Sequence, residues 1–155
     1  MARQNTINVY TDGVCKGNPG PGGWGAVLEV GNKRRCVGGR EDLTTNNRME
    51  LRAAVEALRQ INRSGREVRV VTDSQYLQRG ITEWLPKWKT KGWKAASKKP
   101  VKNVDLWKAL DELALKHSVE WLWVRGHSGN PGNELADSLA NRAIDQGDIL
   151  ESATV

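Results

Sequence analysis

Three of the chain's 18 carboxylates stand where solvation alone does not explain them. Asp12 and Asp73 each follow an apolar run in the same way, in "VYTDG" and "VVTDS". Ligands of open α/β sheets gather at the carboxyl ends of strands. If these two strands are parallel neighbours, the two acids face each other across a few ångströms. An Asp before Gly or Ser is equally at home starting a turn or capping the next segment, so the pair leaves both readings open. Glu50 lies one turn before Ala54, on the row leading into an apolar stripe. Its spacing from Asn47 is also that of a capping box, and a first-turn Glu favours the helix dipole. Taken together, the three acids suggest chemistry. Clustered carboxylates repel and stay ionised near neutrality only beside a compensating cation. An all-oxygen set suits Mg²⁺, with Mn²⁺ as a substitute. Two such ions bridged by carboxylates can activate water and stabilise the leaving oxygen in phosphodiester cleavage.

A second feature points to a polyanion. "WLPKWKTKGWKAASKKPVK", residues 84–102, holds seven of the 24 Lys and Arg, three tryptophans and no acid. The rest of the chain carries 17 bases against 18 acids, so nearly the whole net charge of +6 sits in this segment. A concentrated patch attracts a polyanion more strongly than a diffuse charge. Acids for hard cations beside a basic patch read as a nuclease; a non-catalytic nucleic-acid-binding module would use the patch alone.

The elements that must position these residues follow from periodicity. "NTINVYTDG" alternates, with Ile7, Val9 and Thr11 on one side and Asn8, Tyr10 and Asp12 on the other, as a strand does. "GVCKGNPGPGG" reads as a glycine-rich loop into a second strand around "WGAVLEV". Gly31-Asn32 is a two-residue hairpin turn into a third strand, "KRRCVGG". Leu51, Ala54, Val55, Leu58 and Ile61 then recur at helical spacing, ending near Ser64-Gly65. "EVRVVTD" is a fourth strand, followed by a helix from about Ser74 to Trp84 and short helical pieces broken at Pro86 and Gly92. Ile81, Trp84, Leu85 and Trp88 share helical spacing, so part of the indole belongs to the core. Asn103 is placed to cap a helix carrying Leu106, Trp107, Leu110 and Ala114. "SVEWLWV" is a fifth strand. The last helix has Asn130 as its cap and Pro131 at its first position. The expectation is an α/β fold with a five-stranded mixed sheet, three strands antiparallel and then two parallel, flanked by helices.

At 155 residues with no phenylalanine, one domain is expected, its core built of Val, Leu, Ile and Ala with Trp supplying bulk. Cys15 and Cys36 make neither a disulfide framework nor a metal cluster. No apolar leader or membrane span is evident, so a cytoplasmic, reduced protein is expected.

Five blocks in order resemble bacterial ribonuclease HI, which cuts the RNA strand of RNA/DNA hybrids: "YTDGVCKGNPGPGGWG", "TTNNRMEL", "TDSQYLQRGI", "WLPKWKTKGWKAASKKPVKNVDLW" and "VRGHSGNPGNELADSLA". The resemblance spans about residues 6 to 145. It implies a ribonuclease H-like fold and a monomer giving 5′-phosphate and 3′-hydroxyl ends. It makes Asp12, Glu50 and Asp73 metal ligands, with Asp12 bridging two ions, and adds a fourth, Asp137. From spacing alone, Asp137 reads as a solvated helix acid. The resemblance also assigns His127 an assisting role in proton transfer or product release, which suits an imidazole.

Substrate contacts are expected around the acids. Telling RNA from DNA requires reading the 2′-hydroxyl, which amides can both donate to and accept from; Asn18, Asn46, Asn47 and Gln75 match hybrid-contacting positions. Thr45 and Asn18 correspond to positions near a DNA-phosphate pocket, where helix-start N–H groups are available. Cys15 matches a position beside the substrate groove and is equally a small loop filler. Trp84, Lys87, Trp88, Lys89, Lys91 and Lys94 form the expected grip on the duplex backbone. The chain departs from the family pattern at Thr90, where relatives continue a run of bases, and after Gly147, where the tail matches little. A related nuclease acting on branched DNA is the nearest rival reading.

Overall fold

A computed structural model describes residues 6–94, 101–125 and 130–152. Its sheet has six strands in the order β5-β4-β1-β2-β3-β6. Strands β1 (Ile7–Cys15), β2 (Gly20–Val30) and β3 (Lys33–Thr44) form an antiparallel meander turned at Gly31, whose φ is 59°. β4 (Glu67–Thr72) runs parallel to β1, and β5 (Ser118–Trp123) runs parallel to β4. The sixth strand, β6 (Ile149–Ser152), adds antiparallel to β3 and was not expected from sequence. Four residues offer little periodicity; Ile149, buried against the last helix, is the anchor.

The glycine-rich stretch is mostly strand, not loop. β1 continues past Asp12, pairing Asp12 with Gly25 and Cys15 with Gly22. The glycines serve close packing. A Cβ on Gly25 would lie 2.4 Å from the Ala136 carbonyl oxygen, and one on Gly23 would lie 2.1 Å from that of Ala140. The backbone of α5 (Pro131–Gln146) therefore rests directly on the floor of β2. α1 (Asn46–Arg59) covers the opposite face, with α4 (Val104–Leu115) behind it. Strand alternation divides the core accordingly. Val9, Ala26 and Leu28 pack with α1, while Val27 packs with Ala136, Leu139 and Ala143 of α5.

The expected helix after Ser74 runs further than its sequence suggested. α2 (Gln75–Arg79) passes through a π-type turn, Gly80–Trp84, into α3 (Leu85–Thr90). Pro86 is tolerated because it falls at the start of α3, where a backbone donor is dispensable. Gly80 accepts the outer edge of the Trp107 ring, whose Cη2 would lie 1.9 Å from a Cβ there. Trp84, Trp88, Trp107 and Tyr76 form a chain of tilted and edge-on rings with centroids 5.4–5.9 Å apart. Trp107 is fully buried, and Trp84 and Trp88 are half-buried. Packing thus claims part of the indole.

Two caps differ from expectation. α1 is capped by Thr45, whose hydroxyl accepts from Arg48 N at 3.2 Å; Asn47 lies inside the helix, so there is no Asn47–Glu50 capping box. α1 also ends earlier, at Arg59. Asn103 precedes α4 with φ 58° and makes no side-chain cap. Its carboxamide is engaged elsewhere, with Tyr76 and Arg48. Asn130 does cap α5, accepting from Asn133 N at 3.0 Å, with Pro131 at the helix start.

Candidate active site

The parallel pairing of β1 and β4 matches Tyr10 with Val71. Carried two residues on, that register sets Asp12 level with Asp73. Asp12 does not end its strand; it stands within β1, while Asp73 follows the last residue of β4. Glu50 reaches the same point from α1. Gly13 makes this approach possible, because a Cβ there would lie 2.4 Å from both Met49 C and Glu50 N. The Gly13 amide donates to Asp12 Oδ1 at 2.9 Å and to Glu50 Oε1. One carboxylate oxygen from each of Asp12, Glu50 and Asp73 lies within 4.8 Å of the others.

Asp137 projects from α5 toward Asp12, where it acts as a hydrogen-bond neighbour and a like charge. Asn141 holds it from behind, donating to its carbonyl at 2.9 Å. Four elements, β1 and β4 of the sheet with α1 and α5 on its opposite faces, thus gather four acids around Asp12. Residues 126–129, including His127, lie outside the described residues.

The electrostatics fit a cation. Asp12 and Glu50 are each only 8% exposed. Burial, with the neighbouring carboxyls of Asp137 and Asp73, raises the Asp12 pKa from 3.8 to about 7. Burial and Asp12 push Glu50 well above the ordinary carboxylate range. A buried oxygen cluster that holds protons near neutrality is one that a hard divalent ion would occupy in their place.

This gives a signed pH prediction for the metal-free protein. Between about pH 4 and 7 the unfolded chain releases protons that the folded cluster retains, so stability falls as pH rises. Above pH 7 the Asp12 penalty is complete. Asp12→Asn should therefore raise metal-free stability at pH 8 by on the order of 2–4 kcal/mol. Thermal melts in chelator across this range measure it, and an unchanged or lower melting temperature would contradict it.

Other singled-out residues surround this centre. Asn18 Oδ1 accepts from Asn46 N at 3.0 Å, which gathers Asn18, Thr45 and Asn46 at the start of α1. Asn47 is exposed on the same turn. Cys15, half-buried, directs its thiol to the carbonyls of Gly20 and Thr44; it and Cys36 are free thiols. Gln75 is exposed at the start of α2, two residues after Asp73. Lys87, Lys91 and Lys94 are exposed, whereas Lys89 is drawn to Asp111 at 3.3 Å. Sequence reasoning missed Trp123, whose indole N–H donates to the Asp73 carbonyl at 3.1 Å. The available signal was the position of "WLW" in the strand next to the acids.

A sheet of this topology, with a buried acid on its central strand and further acids brought to it, has a family. A profile of the RNase H family matches residues 4–145, and the chain belongs to the ribonuclease H family, enzymes of the hydrolase class that act as endoribonucleases. Within that family it is of the bacterial ribonuclease HI type. Ribonuclease HI of Pseudomonas aeruginosa is 60% identical over 144 residues, covering 93% of this chain and 97% of that protein. Ribonuclease H of Cupriavidus necator is 60% identical over 139 residues, 90% of this chain and 95% of that one. Among solved structures, LC9-RNase H1, a type 1 RNase H with the type 2 active-site motif, superposes with a TM-score of 0.86 at 36% identity, over 96% of this chain and 78% of that one. Among the described residues no helix is long and apolar enough to cross a membrane.

Proposed function

We propose that the chain hydrolyses the RNA strand of RNA/DNA hybrids by a divalent-metal-dependent, two-metal mechanism that leaves 5′-phosphate and 3′-hydroxyl ends. The observation that carries this reading is the convergence of Asp12, Glu50 and Asp73 to within 4.8 Å beside the middle of β1. Mg²⁺, or Mn²⁺ in its place, would be held by these three acids and Asp137, and supplies Lewis-acid stabilisation and activation of water. Asp12, central among the four, orients the cluster. Glu50, pinned by the Gly13 amide, keeps its oxygens aimed at Asp12. His127 assists by moving a proton at the reacting oxygens.

Around that centre, Gln75, Asn46 and Asn47 read the 2′-hydroxyl of the RNA strand. Asn18 and Thr45 set the start of α1 against a DNA phosphate, and Cys15 lies along the groove. Lys87, Lys89, Lys91 and Lys94 grip the duplex backbone, with Lys89 partly engaged by Asp111. Trp84 and Trp88 shape that surface as well as the core. The enzyme acts as a cytoplasmic monomer of one ribonuclease H domain carrying a basic segment.

The deciding experiment offers an RNA/DNA hybrid, an all-DNA duplex and a branched DNA, each with Mg²⁺ and again with chelator. The expected result is cleavage of the RNA strand alone, with 5′-phosphate ends, abolished by the chelator. Hybrid binding that ignores the chelator and never turns over would make the chain a binding module. Cleavage of branched DNA in preference to the hybrid would make it a different nuclease.

A further inference from the structure

We propose that Arg48 is a positioning residue that locks the basic segment to the helix carrying Glu50, so that one duplex is gripped and cut in a single register. The proposal rests on the hybrid-hydrolysis reading above. Arg48 lies two residues before Glu50 and directly after Asn46 and Asn47. Its guanidinium reaches three acceptors on two other parts of the chain. Nε donates to Glu41 Oε1 of β3 at 3.0 Å. Nη1 and Nη2 form a fork on the Asp105 carboxylate at 3.1 and 2.9 Å, and Nη1 also approaches Asn103 Oδ1 at 3.4 Å. Glu41 is held in turn by Arg52 at 2.5 Å.

The chain of contacts continues to the lysines. Asn103, in the left-handed region, donates its amide to the Tyr76 hydroxyl at 3.2 Å, and Trp107 Nε1 donates to the same oxygen at 3.1 Å. The Tyr76 ring meets Trp84 and Trp107, and Trp88 meets both of those indoles. Trp88 directly follows Lys87, and Trp84 lies three residues before it. Directional contacts therefore run from the turn bearing Glu50, through the start of α4, to the lysine-bearing helix α3.

Stability is a weak explanation for the Asp105 arm of this arrangement, whereas the Glu41 arm is largely buried and belongs to the fold. Asp105 is 62% exposed, and exposed ion pairs add little to folding. Register is a stronger one. A duplex is stiff, so two contact sites on it add their affinities only when the protein holds them at matching separation. A planar fork with charge on both sides fixes direction as well as distance.

The test measures KM and kcat for Arg48→Met and Asp105→Asn on two RNA/DNA hybrids. One is short enough to fill the carboxylate centre alone, and the other is long enough to reach the basic segment too. On the long hybrid, Arg48→Met should raise KM roughly tenfold with kcat within about twofold, and flatten the salt slope of binding by about 0.9 for each lysine disengaged. On the short hybrid neither constant should move. Arg48→Lys, which keeps the charge and loses the fork, should recover the effect only in part. The double variant should be no worse than Arg48→Met. If Arg48→Met does not fold, Asp105→Asn at its exposed position decides alone. An unchanged KM on the long hybrid, an equal rise on both lengths, or a loss confined to kcat would each overturn the proposal. A wild-type protein that cleaves neither hybrid would overturn the hydrolysis reading itself, which keeps the two failures distinct.

Discussion

Asp12→Asn should bind an RNA/DNA hybrid as the wild type does and cleave it at least about a thousandfold more slowly, a change of roughly 4 kcal/mol in the barrier. Asp12 is the acid that the others surround. Glu50 and Asp137 are its hydrogen-bond neighbours, and Asp73 acts on it as a like charge. Asparagine keeps the shape and removes the charge that would hold a cation at the middle of the cluster. The same substitution should stabilise the metal-free fold, because it relieves repulsion in a site only 8% exposed. A loss of turnover beside a gain in melting temperature is hard to produce by misfolding. Full cleavage by Asp12→Asn with Mg²⁺ would sink the mechanism.

Gly13→Ala is expected to cost both stability and turnover. The added Cβ would press against backbone at 2.4 Å, on Met49 C and Glu50 N, and backbone has no rotamer with which to yield. β1 and α1 must separate, at about 2–3 kcal/mol. For a chain of this size that lowers the melting temperature by roughly 4–12 °C. Separation also carries Glu50 away from Asp12 and strains its bond from the Gly13 amide. Turnover should therefore fall well below the melting temperature, where the variant is still folded. An Asp12-centred site that tolerates Gly13→Ala with normal turnover would show that this close approach is not needed.

These two residues show what could be read from the sequence and what could not. The repeated "TD" after two apolar runs made Asp12 and Asp73 legible, because strand alternation and parallel pairing are local and periodic. Glu50 was legible only as a member of the set, since its capping-box spacing from Asn47 offered a local explanation that Thr45 in fact supplies. Gly13 was misread as punctuation. A glycine marks a turn or a close approach with the same letter, and only the helix above it tells them apart. The same ambiguity turned the end of β1 and the start of β2 into a loop over residues 13–23. Asp137 had no local signal, because its meaning depends on a contact between residues 125 positions apart (12 and 137), and only the family resemblance supplied it. Asn103 had the chemistry of a cap and spends it on Tyr76 and Arg48 instead, a choice that tertiary contacts decide.

The glycine floor of β2 has a consequence for the making of the enzyme. α5 lies on Gly23 and Gly25 backbone to backbone, so no side chain from earlier in the chain can stand in for it. During synthesis the amino-terminal meander and α1 emerge first and can bring Asp12 and Glu50 together. The last wall arrives only with residues 131–146, and with it Asp137. On the proposed mechanism, a nascent chain holds all its lysines and three of its four acids before the centre is complete.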